Sequence, residues 1–327
     1  MDRNGLLSSL APQCLALACL VTAIPVGAQN WPVRPVRMVV AFPPGGVADI
    51  AARIYSARLS EAWSQPVLID NRPGANGAIG AELAARAQPD GYTLLMATAS
   101  ELTVNPVFYP KLAYDTLRDF APISLATHNP VVWIAGVATP YRTMGELIAA
   151  ARAKPATLAF SSPGNGSTHH LATEALRISS GAALIHVPYK GGAPATAAVV
   201  GGDVPIGAVA LAPALPHLKA GKIRILGIAS PRRSALLPEV PTLAETGHPV
   251  EMSNWVGLLA PARVPSAVIA RINSDMVQLA ASTDIRDRFA AQGSEAVSTT
   301  PEGFAAFIRA ELAKFATIVR AADIKPD

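Results

Sequence analysis

Two glycine-bearing loops carry the chemistry legible in this chain. The strand-like run Val36 to Phe42 stops at Pro43-Pro44-Gly45-Gly46 and leads into a helical pattern beginning near Asp49 and carrying Ile50, Ile54 and Leu59. A second loop, Ser161-Ser162-Pro163-Gly164-Asn165-Gly166-Ser167-Thr168, joins the apolar stretch Thr157 to Phe160 to another helix. The first amide N–H groups of a helix have no internal partner and sit at the positive end of its dipole, so an anion is favoured there. Both loops read as holders of a carboxylate or similar anion. Two such loops, well apart in one chain, imply a cleft between two domains.

Other chemistries find little support. No Gly-x-Ser-x-Gly elbow is present, and Ser167, which follows Gly166, is succeeded by Thr168-His169-His170 rather than by a second glycine. A triad would need its base and acid from elsewhere in the chain. The adjacent pair His169-His170 diverges by about 100° on a helix, and no companion ligand spacing accompanies it; no metal site is expected. One of these histidines is expected to face the cleft and the other solvent. Gly164-Asn165-Gly166 lacks the third glycine of a dinucleotide fingerprint, and Gly45-Gly46 lacks the Lys-Ser/Thr ending of a nucleotide loop. No catalytic residue and no cofactor is expected.

The elements that must position these loops alternate between short apolar runs and amphipathic helical runs, an α/β pattern with largely parallel sheets. Expected strands are 37–42, 67–70, 93–97, 123–126, 131–135, 157–160, 184–187, 205–209 and 223–229. A third glycine-rich turn, Asn71 to Gly77, enters a helix over Leu83 to Ala87, either as a tight connection or as a ligand contact. The rhythm breaks near Leu125–Val132 and Pro249–Gly257, where the chain is expected to cross between domains. That gives a first domain over 29–127, a second over 128–250, and a return to the first over 251–327. Val268, Ile272 and Met276 share a helical face, and a last helix starts at Thr300-Pro301 and carries Phe304, Ile308, Leu312 and Phe315.

The N-terminus reads as an export signal over residues 1–28, with Arg3, an apolar core from Leu15 to Ile24, and small residues at Val26-Gly27-Ala28. The apolar core falls short of the roughly 20 residues of a membrane-spanning helix. Both cysteines, Cys14 and Cys19, lie inside this segment, so the mature chain of 299 residues would hold no thiol. The basic residues behind the net charge of +4 are scattered, which argues against nucleic acid as a partner.

Several stretches together resemble one family, the Bug-type (TctC-like) periplasmic substrate-binding proteins of tripartite tricarboxylate transporters. They are Pro32 to Arg37; Phe42-Pro43-Pro44-Gly45-Gly46 with Asp49 and Ala52-Arg53; Asn71 to Gly77; Asn105-Pro106; Ser161 to His170; His186 to Gly191; Leu237 to Thr242; and Trp255-x-Gly257. They run in family order across the mature chain. The resemblance implies a two-domain flytrap fold, each domain a mostly parallel sheet flanked by helices, closing on a small organic carboxylate in the periplasm. Its partners would be the membrane permease subunits of a tripartite transporter; the alternatives are a carboxylate sensor serving a sensor kinase, or an exported α/β hydrolase. A monomer is expected. Carried over by position, Phe42, Gly45, Gly46 and Asp49 would serve in the first loop, Ser161, Asn165, Ser167 and Thr168 in the second, with Thr98, Ser100, Asn105 and Tyr189 also lining the cleft. Asp49, Ser167 and Thr168 also have a reading as helix caps, and Tyr189 with Lys190 as a turn. Where the family carries an acidic residue after the Gly202 turn, this chain has Val209. With Phe42 it is expected to shape the pocket, and amino acids are expected to be poor ligands because a buried ammonium would lack a partner.

Overall fold

A computed structural model describes residues 31–322 of the chain. The export segment and both cysteines lie outside the described residues. In chain order the first stretch contains β1 (Val36–Val40), α1 (Val47–Trp63), β2 (Val67–Asn71), α2 (Ala78–Ala85), β3 (Thr93–Thr98), a π-helical turn (Ser100–Val104), α3 (Asn105–Phe108), α4 (Thr116–Asp119) and β4 (Phe120–His128). The middle stretch contains β5 (Val131–Gly136), α5 (Met144–Ala153), β6 (Ala159–Ser162), α6 (Thr168–Ser180), β7 (Ile185–Pro188), α7 (Gly192–Gly201), β8 (Ile206–Ala210), α8 (Leu211–Lys219) and β9 (Ile223–Ile228). The last contains β10 (Val256–Pro261), α9 (Ser266–Ala281), α10 (Thr283–Ala290), β11 (Glu295–Ala296) and α11 (Pro301–Ala322).

These strands form two sheets. The first has the order β11-β4-β10-β3-β1-β2 and the second β7-β6-β8-β5-β9. The chain therefore passes from the first sheet to the second between His128 and Val131, and returns between Ile228 and Val256. The expectation of mostly parallel sheets is corrected: β1 runs parallel to β2 and β3, and β6 to β7 and β8, but β10 is antiparallel to β3 and β4, and β5 to β8 and β9. The strands that enter and leave each sheet at the crossovers carry the reversals. β10 was not among the expected strands. Its residues are buried on both faces, so they show no alternation to set them apart.

The crossovers are bound to each other. The Asn129 side chain donates to the Asn254 carbonyl at 2.9 Å, the Asn254 amide donates to the Asn129 carbonyl at 2.8 Å, and Pro130 pairs with Ser253. A continuous apolar core reaches from Leu95 and Val39 of the first sheet to Trp133 and Phe160 of the second. On α1 the buried face is Ala48, Ala51, Ala52, Tyr55 and Leu59, whereas the expected Ile50 and Ile54 are only partly covered.

The last helix locks the first sheet. Its start is capped by Thr300, whose side-chain oxygen accepts the Gly303 amide at 3.0 Å. Phe304, Ile308 and Phe315 are fully buried, while the expected Leu312 is half-buried. Phe304 meets Trp255 edge-on at 5.7 Å between ring centres, and a Cβ at Gly257 would lie 2.2 Å from its ring, so β10 must carry glycine there for the helix to seat. Phe304→Ala is expected to cost about 3–5 kcal/mol of unfolding free energy in urea titrations; a loss below about 1 kcal/mol would contradict this packing role.

Candidate functional site

The β1–α1 loop of the first half faces the starts of α6, α7 and α8 in the second. A cavity lies between them, lined by Phe42, Gly46, Val47, Ala48, Thr98, Ser100, Pro163, His169, Gly192, Ala210, Pro213 and Asn254. Most of these positions are helix beginnings. Gly46 is the N-cap of α1 and Val47 and Ala48 are its first residues; His169 is the second residue of α6; Gly192 opens α7; Ala210 is the N-cap of α8. Four helix N-termini thus meet at one cavity, and no Asp, Glu, Lys or Arg lines it. Such an arrangement can favour negative charge through backbone amides and helix dipoles without a formal positive charge.

The side chains at the cavity complement those amides. Both ring nitrogens of His169, Oδ1 of Asn254 and Oγ1 of the neighbouring Thr168 are buried and make no hydrogen bond within the protein. A buried polar atom without a partner costs about 1–3 kcal/mol, so this cluster marks a place built for a polar guest. Burial pushes the His169 imidazole down to about 3, which keeps it neutral with one donor and one acceptor.

A second cavity adjoins the first. It is lined by Phe42, the Gly74-Ala75-Asn76-Gly77 turn, Tyr109, Pro163-Gly164-Asn165 and Pro188-Tyr189-Lys190, and it shares Phe42 and Pro163 with the first. Its volume is about 180 Å³, against about 20 Å³ for the first, which is room for roughly one water molecule. The glycine-rich turn at 74–77 therefore does line a cavity.

Of the residues singled out from the sequence, Phe42, Gly46, Thr98 and Ser100 line the first cavity, and Asn165 and Tyr189, again with Phe42, line the second. Five others brace the loops instead. Asp49 accepts the Gly45 amide at 2.9 Å, the Arg53 guanidinium at 2.8 and 3.0 Å, and the Asn71 side chain at 3.1 Å; the same Asn71 nitrogen reaches the Phe42 carbonyl at 3.0 Å. Burial pushes its carboxyl upward, but the bonds from Arg53, Gly45 and Asn71 outweigh that and hold it below the usual carboxylate range. Gly45 itself is exposed, with φ of +84°, and turns the loop rather than lining the cavity. Asn105 exchanges hydrogen bonds with Asn76, at 2.9 and 3.0 Å, fixing the turn that lines the second cavity.

Ser161 and Ser162 belong to the end of β6 rather than to the loop, because that strand runs two residues beyond its expected end. Ser161 donates to the Ala195 carbonyl of α7 at 2.9 Å. Ser162 Oγ lies 2.6 Å from His186 Nε2 and accepts the Gly164 amide at 3.2 Å. Ser167 caps α6 by accepting the His170 amide, and the Gly166 amide donates to His170 Nδ1 at 3.1 Å. His169 is the histidine that faces the cleft. His170 is not solvated as expected: it is buried and stacks on His186 with ring centres 3.8 Å apart. Val209 is corrected as well. It packs with Val132 and Ile134 in the core of the second half, and its neighbour Ala210 lines the cavity. Among the residues missed, Gly192 follows a strand–glycine–helix junction of the same kind as the first loop, a signal present in the sequence. Asn254 lies in irregular chain and offered none.

Comparison with known proteins places these features in context. A family model described as tripartite tricarboxylate transporter family receptor matches residues 51–324. The protein BugT of Bordetella pertussis is 36% identical over 300 residues, covering 91% of this chain and 92% of its own. Among solved structures, Rpa4515 of R. palustris with adipate is 32% identical with a TM-score of 0.89, covering 91% of this chain and all of that one. MatC of Rhodopseudomonas palustris with bound malate is 30% identical with a TM-score of 0.83, covering 88% of this chain and all of that one.

The histidine cluster sets an acid limit on the fold. Burial depresses His169 and His186 to about 3, with His170 adding to the effect on His186, and depresses His170 to about 4. A base with a depressed folded pKa contributes stability above its unfolded value of about 6.5 and loses it as the pH falls. Glu101, pushed up to about 7 by burial, acts in the opposite sense between its unfolded value and neutrality. Stability is expected to fall by roughly 2–3 kcal/mol per pH unit between about pH 6 and pH 4, read as urea midpoints; a flat profile would contradict the buried neutral cluster.

Proposed function

This chain belongs to the tripartite tricarboxylate transporter receptor family, and from that premise we propose that it is a periplasmic receptor that closes on a small organic carboxylate and delivers it to the permease subunits of a tripartite transporter. Receptors of this family bind solutes rather than convert them, which sets aside the hydrolase alternative. The observation that carries the reading is the meeting of four helix N-termini at one cavity without a charged side chain. Dicarboxylates named with two relatives, adipate and malate, support the same ligand class.

In this reading a carboxylate enters the first cavity and accepts from the amides at the starts of α1, α6 and α7, with Thr98, Ser100, Thr168, His169 and Asn254 as side-chain partners. The first cavity holds about one water molecule in this arrangement, so the halves part slightly to seat a carboxylate oxygen there, and the rest of the acid passes Phe42 and Pro163 into the second. There Tyr109 and Tyr189 offer apolar faces, and Lys190 offers a positive charge to a far carboxylate. A micromolar complex requires about −8 kcal/mol, and charge-assisted hydrogen bonds at about 1.5–3 kcal/mol each supply the specific part. The crossovers near residues 128 and 250 divide the two domains and act as the hinge, with Asn254 linking hinge and ligand. No Asp or Glu lines either cavity, so an α-ammonium group would be buried without a counter-charge.

The test is a thermal-shift screen of the mature protein against adipate, malate, aromatic and tricarboxylic acids, aspartate and glutamate, beside the variant Gly46→Val. Gly46 has an ordinary φ of −81°, and a Cβ there would have 3.7 Å to its nearest neighbour, so the substitution fills the cavity without straining the loop. One class of acid is expected to raise the melting temperature, by about 2.7 kcal/mol of stabilisation at a hundred times Kd, with the shift lost in Gly46→Val and absent with the amino acids. No shift with any acid, or an unchanged shift in the variant, would overturn the reading.

A further inference from the structure

Glu101 is a fully buried acid that the binding scheme above does not use. It lies in the π-helical turn after β3, and its carboxyl folds back onto Thr98, which lines the first cavity. Oε1 accepts the Thr98 amide at 2.7 Å, and Oε2 makes a short hydrogen bond with Thr98 Oγ1. The Ser100 amide donates to the same Oγ1 at 3.2 Å. The far side is closed by Gly77, where a Cβ would stand 3.0 Å from Glu101 Cβ and 3.2 Å from Oε2.

The hydrogen between Oε2 and Oγ1 decides what Thr98 shows to the cavity. With Glu101 ionised, Thr98 must donate its hydroxyl hydrogen to Oε2. One lone pair of Oγ1 then receives the Ser100 amide, and the hydroxyl has no hydrogen left to offer the cavity that Thr98 lines, so its remaining lone pair can only repel a carboxylate there. With Glu101 neutral, its own proton is donated to Thr98 Oγ1, both lone pairs are occupied, and the Thr98 hydrogen is free to point at a ligand oxygen. Only the neutral acid makes Thr98 a donor toward the cavity.

We propose that this receptor takes up its carboxylate together with one solvent proton, which Glu101 holds and through which the Thr98 hydroxyl becomes a donor to the ligand. The proposal rests on the carboxylate reading of the first cavity. Burial pushes Glu101 up to about 7 and the Thr98 bonds only partly oppose it; no cation acts on it. A bound anion next door raises it further, since like charges disfavour ionisation. The titratable neighbour facing it is Tyr114, whose hydroxyl donates to the Glu101 carbonyl and whose phenol is held up by burial and by Glu101. On the helices packed against this turn, Glu82 pairs with Arg86 on α2 and Glu311 with Lys314 on α11. The sign follows: an acid with a raised folded pKa keeps its proton below that value and loses it as the pH rises, so affinity is full below neutrality and declines above.

The experiment is titration calorimetry of the whole mature protein with adipate and with malate, in buffers of different ionisation enthalpy, from about pH 6 to 9. Wild type is expected to take up close to one proton per acid at alkaline pH, with affinity falling about tenfold per pH unit above about pH 7.5. Glu101→Gln keeps the geometry of a neutral acid, its carbonyl accepting the Thr98 amide and its NH₂ donating to Oγ1. It is expected to bind with no proton uptake and a flat profile, whereas Thr98→Val is expected to bind at least tenfold more weakly and without linkage. Binding by wild type with no proton uptake, or a pH slope retained in Glu101→Gln, would overturn this inference and leave the carboxylate reading standing. Binding of neither acid at any pH would overturn both. Should Glu101→Gln not fold, the wild-type buffer series decides alone.

Discussion

Helix starts present amide hydrogens that the helix itself cannot satisfy, and this constraint organises the molecule. In the first half that duty falls to the loop ending at Gly46, and in the second to the starts of α6 and α7; α8 adds the end of its dipole, since its first amide donates to the Pro130 carbonyl at 3.3 Å and its third residue is Pro213. Each terminus alone is an ordinary feature of an α/β unit. Their meeting at one cavity, with His169, Thr168 and Asn254 keeping polar atoms unpaired beside it, makes the candidate site. Because both halves contribute, the site is complete only when they face one another. Gly191 shows how close that approach is: a Cβ there would lie 2.9 Å from Pro43 Cδ across the cleft.

Formal charge is managed so that the amides set the field. Asp49 lies in the first turn of α1, where a free carboxylate would compete with an incoming anion, and it is occupied by Arg53, Gly45 and Asn71. The histidines near α6 are held neutral by burial, so none supplies a positive charge. The serines around them serve as joints, with Ser162 linking the Gly164 turn to His186 and Ser161 tying β6 to α7. A neutral lining favours an anion while costing less desolvation than a buried ion pair would. Glu101 is the exception, and burial steers it toward its neutral form.

The alternation of strands and helices was legible because each element covers one core, and the two breaks in rhythm fall where the chain changes sheets. What could not be read follows from physics as well. Strand direction in β5 and β10 depends on how the crossovers turn, which no local pattern encodes. β10 is apolar on both faces and so lacks the alternation that marks a half-buried strand. At the site, residue types pointed to loops that border the two cavities, yet polar side chains such as Asp49 and Ser161 brace while residues such as Val47, Ala48 and Gly192 line the cavity. A backbone amide is common to nearly every residue type, so sequence cannot single it out. Val209 and Ala210 show the same limit, since one residue of register decides which of them reaches the core.

The central claim is that the helix-start amides hold the carboxylate. It is tested most directly by amide ¹H–¹⁵N spectra of the protein recorded through a titration with adipate. The amides of Val47, Ala48, His169 and Gly192 are expected to move the most and with a common saturation curve. Saturable binding that left these four unmoved while shifting resonances elsewhere would contradict the account.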